Sequence, residues 1–180
     1  MTAKQSATLA KLFVENARGA AALVEIVEAS RSAVFEALQK AVPGARSVVV
    51  ANGEWVAPEI LSAAHDLPNV LGNPSDEQLA RADAGITEAF AGVASSGSIC
   101  VALGTPLVAA ASLHMPLHIV LLSTERIVER PRDLFDEARF GGEGLRRNLV
   151  FITGPSATAD MGPLVRGVHG PHRLHILVLE

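Results

Sequence analysis

LVAAASLHMPLHIVLLS, residues 107–123, is the most lipid-like run in the chain, and what it forms decides the fold. A membrane helix needs about 20 consecutive apolar residues. This run is shorter, and His114, Pro116 and His118 interrupt it, so it is not read as a span. Its second half, LHIVLLS (117–123), has the Val/Ile/Leu continuity of a strand covered on both faces. The composition points the same way: 49% of the 180 residues are hydrophobic, but only 4% are aromatic, with no Tyr. Mean hydropathy is +0.31. Aliphatic richness without aromatics fits a buried parallel sheet. The length suits one domain with a substantial core.

Similar runs recur on either side. Strands are predicted over SVVVAN (47–52), Val70–Gly72, AGITEA (84–89), SICVAL (98–103), NLVFIT (148–153) and RLHILVLE (173–180). Helices fill the intervals. Residues 7–18 and 20–41 are read as helical with Gly19 as the break, because Leu23, Ile26, Val27, Val34 and Leu38 recur at helical spacing. A short helix is expected over 58–66. Ser75 followed by Gln78 matches a capping box opening a helix over 76–83. Pro131 suits the first turn of a helix through RDLFDEARF (132–140), and SATADMGPLVRG (156–167) is read as a broken helix. Strands alternating with helices indicate an α/β sheet covered on both sides. The 98–123 stretch leaves little room for a helical crossover, so some antiparallel pairing is expected. The fold class is therefore α/β: a single three-layer domain with a mainly parallel mixed sheet over 46–180, preceded by an N-terminal helical segment at 1–45.

The net charge of −4 argues against nucleic acid or an anionic membrane as partner. The N-terminal residues show no apolar core followed by a small-residue cleavage site, and the chain is expected to be cytoplasmic. Its one cysteine, Cys100, allows no internal disulfide and no cluster-binding set. Between Ser47 and Ala80 there is no Lys or Arg, while Arg126, Arg130, Arg132, Arg139, Arg146, Arg147, Arg166 and Arg173 gather later. Two readings fit: a solvated surface with local asymmetry, or a small anion-binding region in the C-terminal half.

FITGPSATAD (151–160) runs from a strand into a glycine-proline turn and then collects Thr153, Ser156, Thr158 and Asp160. Ser156 or Thr158 can cap a following helix, and Gly154 lets the backbone come close to a ligand. A helix start beyond the carboxyl end of a strand presents free N–H groups to a carboxylate or phosphate. One reading is a cap and nothing more; the other is a ligand site, which the surplus of hydroxyls over capping needs favours. A second bend, GVHGP (167–171), places His169 between glycines near Arg166 and Arg173. A structural histidine and an acid/base or ligand contact are both open readings there.

These same residues carry a resemblance. ITGPSATAD (152–160), LVRGVHGP (164–171) and RLHILVL (173–179) together resemble the C-terminal signature of the LUD domain, the lactate-utilisation protein C family. That pattern is a Gly-Pro-Ser-x-Thr-Ala-Asp turn, then Gly-x-His-Gly-Pro, then a closing strand. Gly154, Pro155, Ser156, Thr158, Ala159, Asp160, Gly167, His169, Gly170 and Pro171 match it one for one. Pro116, His118 and Ile119 resemble the family's Pro-x-His-Ile segment. VASSGSICVAL (93–103) resembles its Ile-Ala-Glu-Thr-Gly-Thr segment, with Gly97 kept, Ser96 and Ser98 replacing threonines, and Ser95 replacing the glutamate. The resemblance covers about residues 47–180. It implies a fold similar to the NagB/RpiA/CoA-transferase group, and a role beside iron–sulfur partner proteins in oxidising L-lactate to pyruvate.

Read from their own chemistry, the two bends are expected to bind a small anionic metabolite at the corner. Ser96, Gly97, Ser98, His118, Gly154, Pro155, Ser156, Thr158, Arg166 and Gly170 are the candidate binding residues, and His169 and Asp160 the candidate acid/base pair. With Ser95 in place of the glutamate, the carboxylate chemistry of CoA transferases does not transfer from the fold alone. No cofactor is expected on this chain itself; the iron–sulfur clusters would belong to partner subunits, and the chain would serve as an accessory or regulatory subunit. The alternative is a stand-alone CoA-transferase or ATP-dependent ligase type of enzyme using His169 and Asp160.

Other chemistry has less behind it. There is no Gly-x-Ser-x-Gly elbow, no Gly-x-Gly-x-x-Gly and no Walker lysine. Pro116 breaks the helix that would give His114 and His118 a metal-ligand spacing, and strand alternation separates His169, His172 and His175, so no metal is expected. Trp55 follows the 47–52 strand on the side where α/β ligands dock, as pocket lining or as a half-buried surface aromatic. GGEGLRR (141–147) reads as an exposed turn, or as a lid whose arginines fold over an anion. A homo-oligomer through the apolar pair at 7–41 is left open.

Overall fold

The computed structural model describes residues 3–140, 147–159 and 162–180. In chain order its elements are α1 (Ala3–Gly19), β1 (Leu23–Val27), α2 (Arg31–Ala41), β2 (Val48–Val50), α3 (Pro58–His65), α4 (Asp76–Ala80), β3 (Ala84–Glu88), β4 (Ala91–Val93) and β5 (Ser98–Ala102). There follow α5 (Pro106–Leu113), β6 (Leu117–Ser123), β7 (Ile127–Val128), α6 (Glu137–Phe140), β8 (Leu149–Ile152), β9 (Ala157–Thr158), β10 (Val165–Arg166) and β11 (Arg173–Leu179).

The run that decides the fold is the middle strand of a parallel five-stranded sheet, ordered β1-β11-β6-β3-β2. β6 pairs residue for residue with β11, Leu117 opposite Arg173 through Ser123 opposite Leu179. On its other side Leu117–Leu121 pairs with β3. Alternate side chains leave the sheet in opposite directions. Leu117, Ile119 and Leu121 join Val34 and Leu38 of α2 and Ile60 and Leu61 of α3. Val120 and Leu122 join Phe13 and Val14 of α1 and Val108 and Ala111 of α5. Helices therefore cover both faces, and all five of these β6 side chains are at most 3% exposed.

The expected antiparallel pairing occurs in a second sheet, ordered β7-β4-β5-β8. There β5 runs antiparallel to both β4 and β8. The stretch between 98 and 123, expected to have little room for a helix, holds α5. Thr105 caps it, accepting from Val108 N at 3.3 Å, and Pro106 occupies the first turn.

The N-terminal segment differs from its expected pair of helices. Residues 23–27 are not helical; they form the edge strand β1, parallel to β11. Val24, Ile26 and Val27 are β-branched and favour extended backbone. The helix begins only after Ser30, whose Oγ accepts from Ala33 N at 3.4 Å. Residues 156–167 likewise form no helix among the described residues: β9 and β10 pair antiparallel as a short ribbon. Val70 contributes a single bridge to Val48 in place of a strand. The 132–140 region is a 3₁₀ turn over Pro131–Phe135 followed by α6.

The capping box of α4 is complete. Ser75 Oγ accepts from Gln78 N at 3.3 Å, and Gln78 Oε1 accepts from Ser75 N at 2.9 Å. Ser75→Ala is expected to lower unfolding free energy by about 1 kcal/mol, readable by urea denaturation.

Candidate functional site

The two glycine-bearing bends meet. β8 delivers Thr153 and Gly154 to a corner beside the end of α1, and the chain returns through the β9–β10 ribbon to the bend preceding β11. Ser156 N donates to Pro171 O at 2.9 Å, and Gly167 N donates to Ser156 O at 2.9 Å. A Cβ on Gly170 would come within 3.1 Å of Ser156 Cβ. The upstream serines also arrive here: Ser96 Oγ lies 2.7 Å from Ser98 Oγ, which lies 2.6 Å from Thr153 Oγ1. Of the surplus hydroxyls, that of Thr153 thus joins a chain running from the turn before β5 to the end of β8.

Two details depart from expectation. No helix begins at this corner among the described residues, so none of them aims a helix dipole at an anion, and the Ser156 and Gly167 amides are committed to protein carbonyls. The glycines also make room for protein. Gly97 (φ 66°) and Gly154 (φ 70°) lie against the end of α1, where a Cβ would overlap the Ala17 backbone nitrogen and the Ala20 carbonyl oxygen respectively.

Beside the joined bends lies a cavity of about 290 Å³, lined by Leu113, His114, Pro116, Gly167, Val168, His169, Gly170 and His172. It sits by the start of β11, where Arg173 N donates to Pro116 O at 3.1 Å. That is the amino end of the parallel sheet, since Pro116 leads into β6 and His172 into β11; the expected place beyond a strand's carboxyl end does not hold for that sheet, because β8 belongs to the other one. His169, His172 and Arg166 are exposed; Pro155, Ser156 and Thr158 are half-buried, Thr158 opposite Val165 in the ribbon. Asp160 and the 141–146 part of the proposed lid lie outside the described residues.

His118 is fully buried in β6, with Nε2 2.8 Å from Thr87 Oγ1. Burial holds its pKa down to about 3, so it is a neutral core imidazole. Cys100 is buried on β5, and burial pushes its thiol up to about 12, which leaves it an inert apolar residue. No three His, Cys, Asp or Glu side chains are grouped to hold a metal ion among the described residues. No helix among them is long and apolar enough to cross a membrane.

A second cleft, of about 220 Å³, opens at the carboxyl ends of β2 and β3. Trp55 lines it, as its place after β2 suggested, together with Asn52, Gly53, Thr105, Glu88 and Arg147. Glu88 belongs to no sequence motif, because its partners are distant backbone amides. The available signal was an acidic residue closing an otherwise apolar strand.

Comparison with known proteins gives these positions a context. A family model described as the LUD domain matches residues 9–179. "Lactate utilization protein C" of Deinococcus radiodurans is 32% identical over 146 residues, covering 79% of this chain and 67% of that protein. Its namesake in Halalkalibacterium halodurans is 34% identical over 108 residues, 58% of this chain and 47% of that protein. An uncharacterised protein, NMB1437 of Neisseria meningitidis serogroup B, is 31% identical over 98 residues, 54% of this chain and 42% of its own length. These last two matches each span under half of the relative. In three dimensions the chain resembles the crystal structure of a DUF162 family protein from Deinococcus radiodurans. The TM-score is 0.72 and the identity 26%, over 97% of this chain and 98% of that one.

Proposed function

This chain belongs to the LUD domain family, and from that premise we propose that it serves lactate utilisation as a ligand-binding, accessory or regulatory component without a redox centre of its own. The names of its relatives support the pathway. A chain with one cysteine lacks the ligands for an iron–sulfur cluster, so electrons from L-lactate would pass to iron–sulfur partner proteins. In this reading a small anionic metabolite occupies the cavity between the two bends. Imidazole N–H groups of His169, His114 and His172 would hold it, with Arg166 alongside, while Gly154, Pro155, Ser156, Thr158 and Gly170 keep the bends in register. Ser96, Gly97 and Ser98 brace the corner through Thr153, and His118 supports it from the core.

The observation carrying this reading is the closure of the two bends on each other through Ser156, beside a cavity walled by three imidazoles. Titration calorimetry with L-lactate, pyruvate and inorganic phosphate tests it. We expect saturable binding of at least one, weakened about tenfold or more in His169→Ala, the cost of one hydrogen bond to a charged group. Equal binding by wild type and variant removes the corner from the function. Consistent recovery of the native protein without cysteine-rich partners removes the accessory role.

A further inference from the structure

We propose that the cleft at the carboxyl ends of β2 and β3 is a second small-molecule site. Its ligand class is a small carboxylate with a hydrogen-bond donor on the neighbouring carbon, held between Arg147 and Glu88 beside Trp55. Outside the carboxyl ends of parallel strands is where open α/β sheets place ligands, and the corner cavity lies at the opposite end.

Glu88 is only 4% exposed, yet its carboxylate opens on this cleft. Its Oε1 accepts from Gly53 N at 3.0 Å, and its Oε2 accepts from Trp55 N at 2.6 Å and Val56 N at 2.8 Å. A carboxylate offers about four lone-pair positions. Three amides fill three of them, and the position left belongs to Oε1. Gly53 permits this closure, since a Cβ there would come within 3.0 Å of the carboxyl group. A hydroxyl or ammonium donor on a ligand completes the set.

Arg147 supplies the opposite end. Its guanidinium carbon stands 4.7 Å from the Trp55 ring centroid. Its ion pair with Glu54, at 3.2 Å, is to a side chain that is 70% exposed. Such surface pairs contribute little and exchange readily, and that contact engages one of five guanidinium N–H groups. A planar fork of this kind suits a carboxylate bidentately. The lining also includes the small groups Ala102 and Gly104. At about 220 Å³ the cleft is below the range for drug-sized ligands. With Glu88 and Glu54 beside Arg147, a dianionic phosphate is disfavoured relative to a monocarboxylate.

Trp55 is the single tryptophan, and there is no tyrosine, so its fluorescence reports on this cleft. The test titrates the full chain with L-lactate, L-alanine and propionate, which differ only in carrying a hydroxyl, an ammonium or a hydrogen beside the carboxylate. We expect a saturable Trp55 change with L-lactate or L-alanine, whichever donor the cleft prefers, and about tenfold or more weaker binding of propionate. Arg147→Ala should abolish the change while melting as the wild type does, Arg147→Lys should weaken it, and His169→Ala should leave it intact. No saturable change with any of the three, equal affinity for propionate, or loss of the signal in His169→Ala overturns the proposal.

Discussion

Gly97→Ala is expected to destabilise the protein by about 3–5 kcal/mol and lower its thermal midpoint by roughly 10 °C. Two costs add. The residue sits at φ 66°, in the left-handed region that a Cβ disfavours. The new Cβ would also point into the backbone nitrogen of Ala17, which lies within α1 and cannot rotate aside as a side chain could. α1 is itself anchored, with Phe13 and Ala17 fully buried and Asn16 Nδ2 donating to Ala94 O at 2.7 Å. Relief therefore requires moving a helix or the β4–β5 turn. Gly104→Ala is the matched control, since Gly104 has open space around its Cβ position and no positive φ. Thermal unfolding followed by circular dichroism should separate the two variants widely. Coincident melting curves would mean that α1 does not pack on this turn.

Much of this architecture can be read from residue patterns, and the failures have physical causes. β6 and β11 are legible because both faces are covered, so Val, Ile and Leu fill both alternations around His118 and His175. β1 was hidden because it is an edge strand: Leu23 and Ile26 are 57% and 52% exposed, and their spacing to Val34 imitates one helical stripe across two elements. The helix α5 was missed because VAAASL shows no polar face, although Thr105-Pro106 carried the start signal. The second sheet follows from pairings such as Cys100 with Phe151, across fifty residues, which no local pattern announces.

The site divides the same way. A surplus of hydroxyls at 153–158 does mark a place where distant segments converge, and Ser98 reaching Thr153 extends it. The turn chemistry predicts that Gly154 makes room for a ligand. Spacing in sequence cannot say that the body approaching Gly154 is the end of α1. Glu88 shows the converse case. Its amide partners come from residues 53–56, 32 to 35 positions upstream, so only the folded chain displays the carboxylate and its remaining acceptor position.

Acid should unfold this protein in a way that His118 governs. The imidazole is fully buried against Thr87, and burial holds its pKa down to about 3, against 6.5 when exposed. A depressed pKa means that the native state refuses a proton which the unfolded chain accepts. The stabilisation is complete above pH 6.5 and drains away as pH falls from there toward 3. At 1.36 kcal/mol per pH unit, the loss from this residue is about 2.7 kcal/mol by pH 4.5 and about 5 kcal/mol at the lower limit. His118→Gln should be the less stable protein at pH 7, having lost a fitted core ring and its bond to Thr87. It should nevertheless decline less steeply, because the other titrating groups act equally in both chains. The gap between the two proteins, measured by urea denaturation at pH 7, 6, 5 and 4.5, should therefore narrow with acid. Parallel stability curves through that range would mean that the folded protein protonates His118, and that the ring is reached by water.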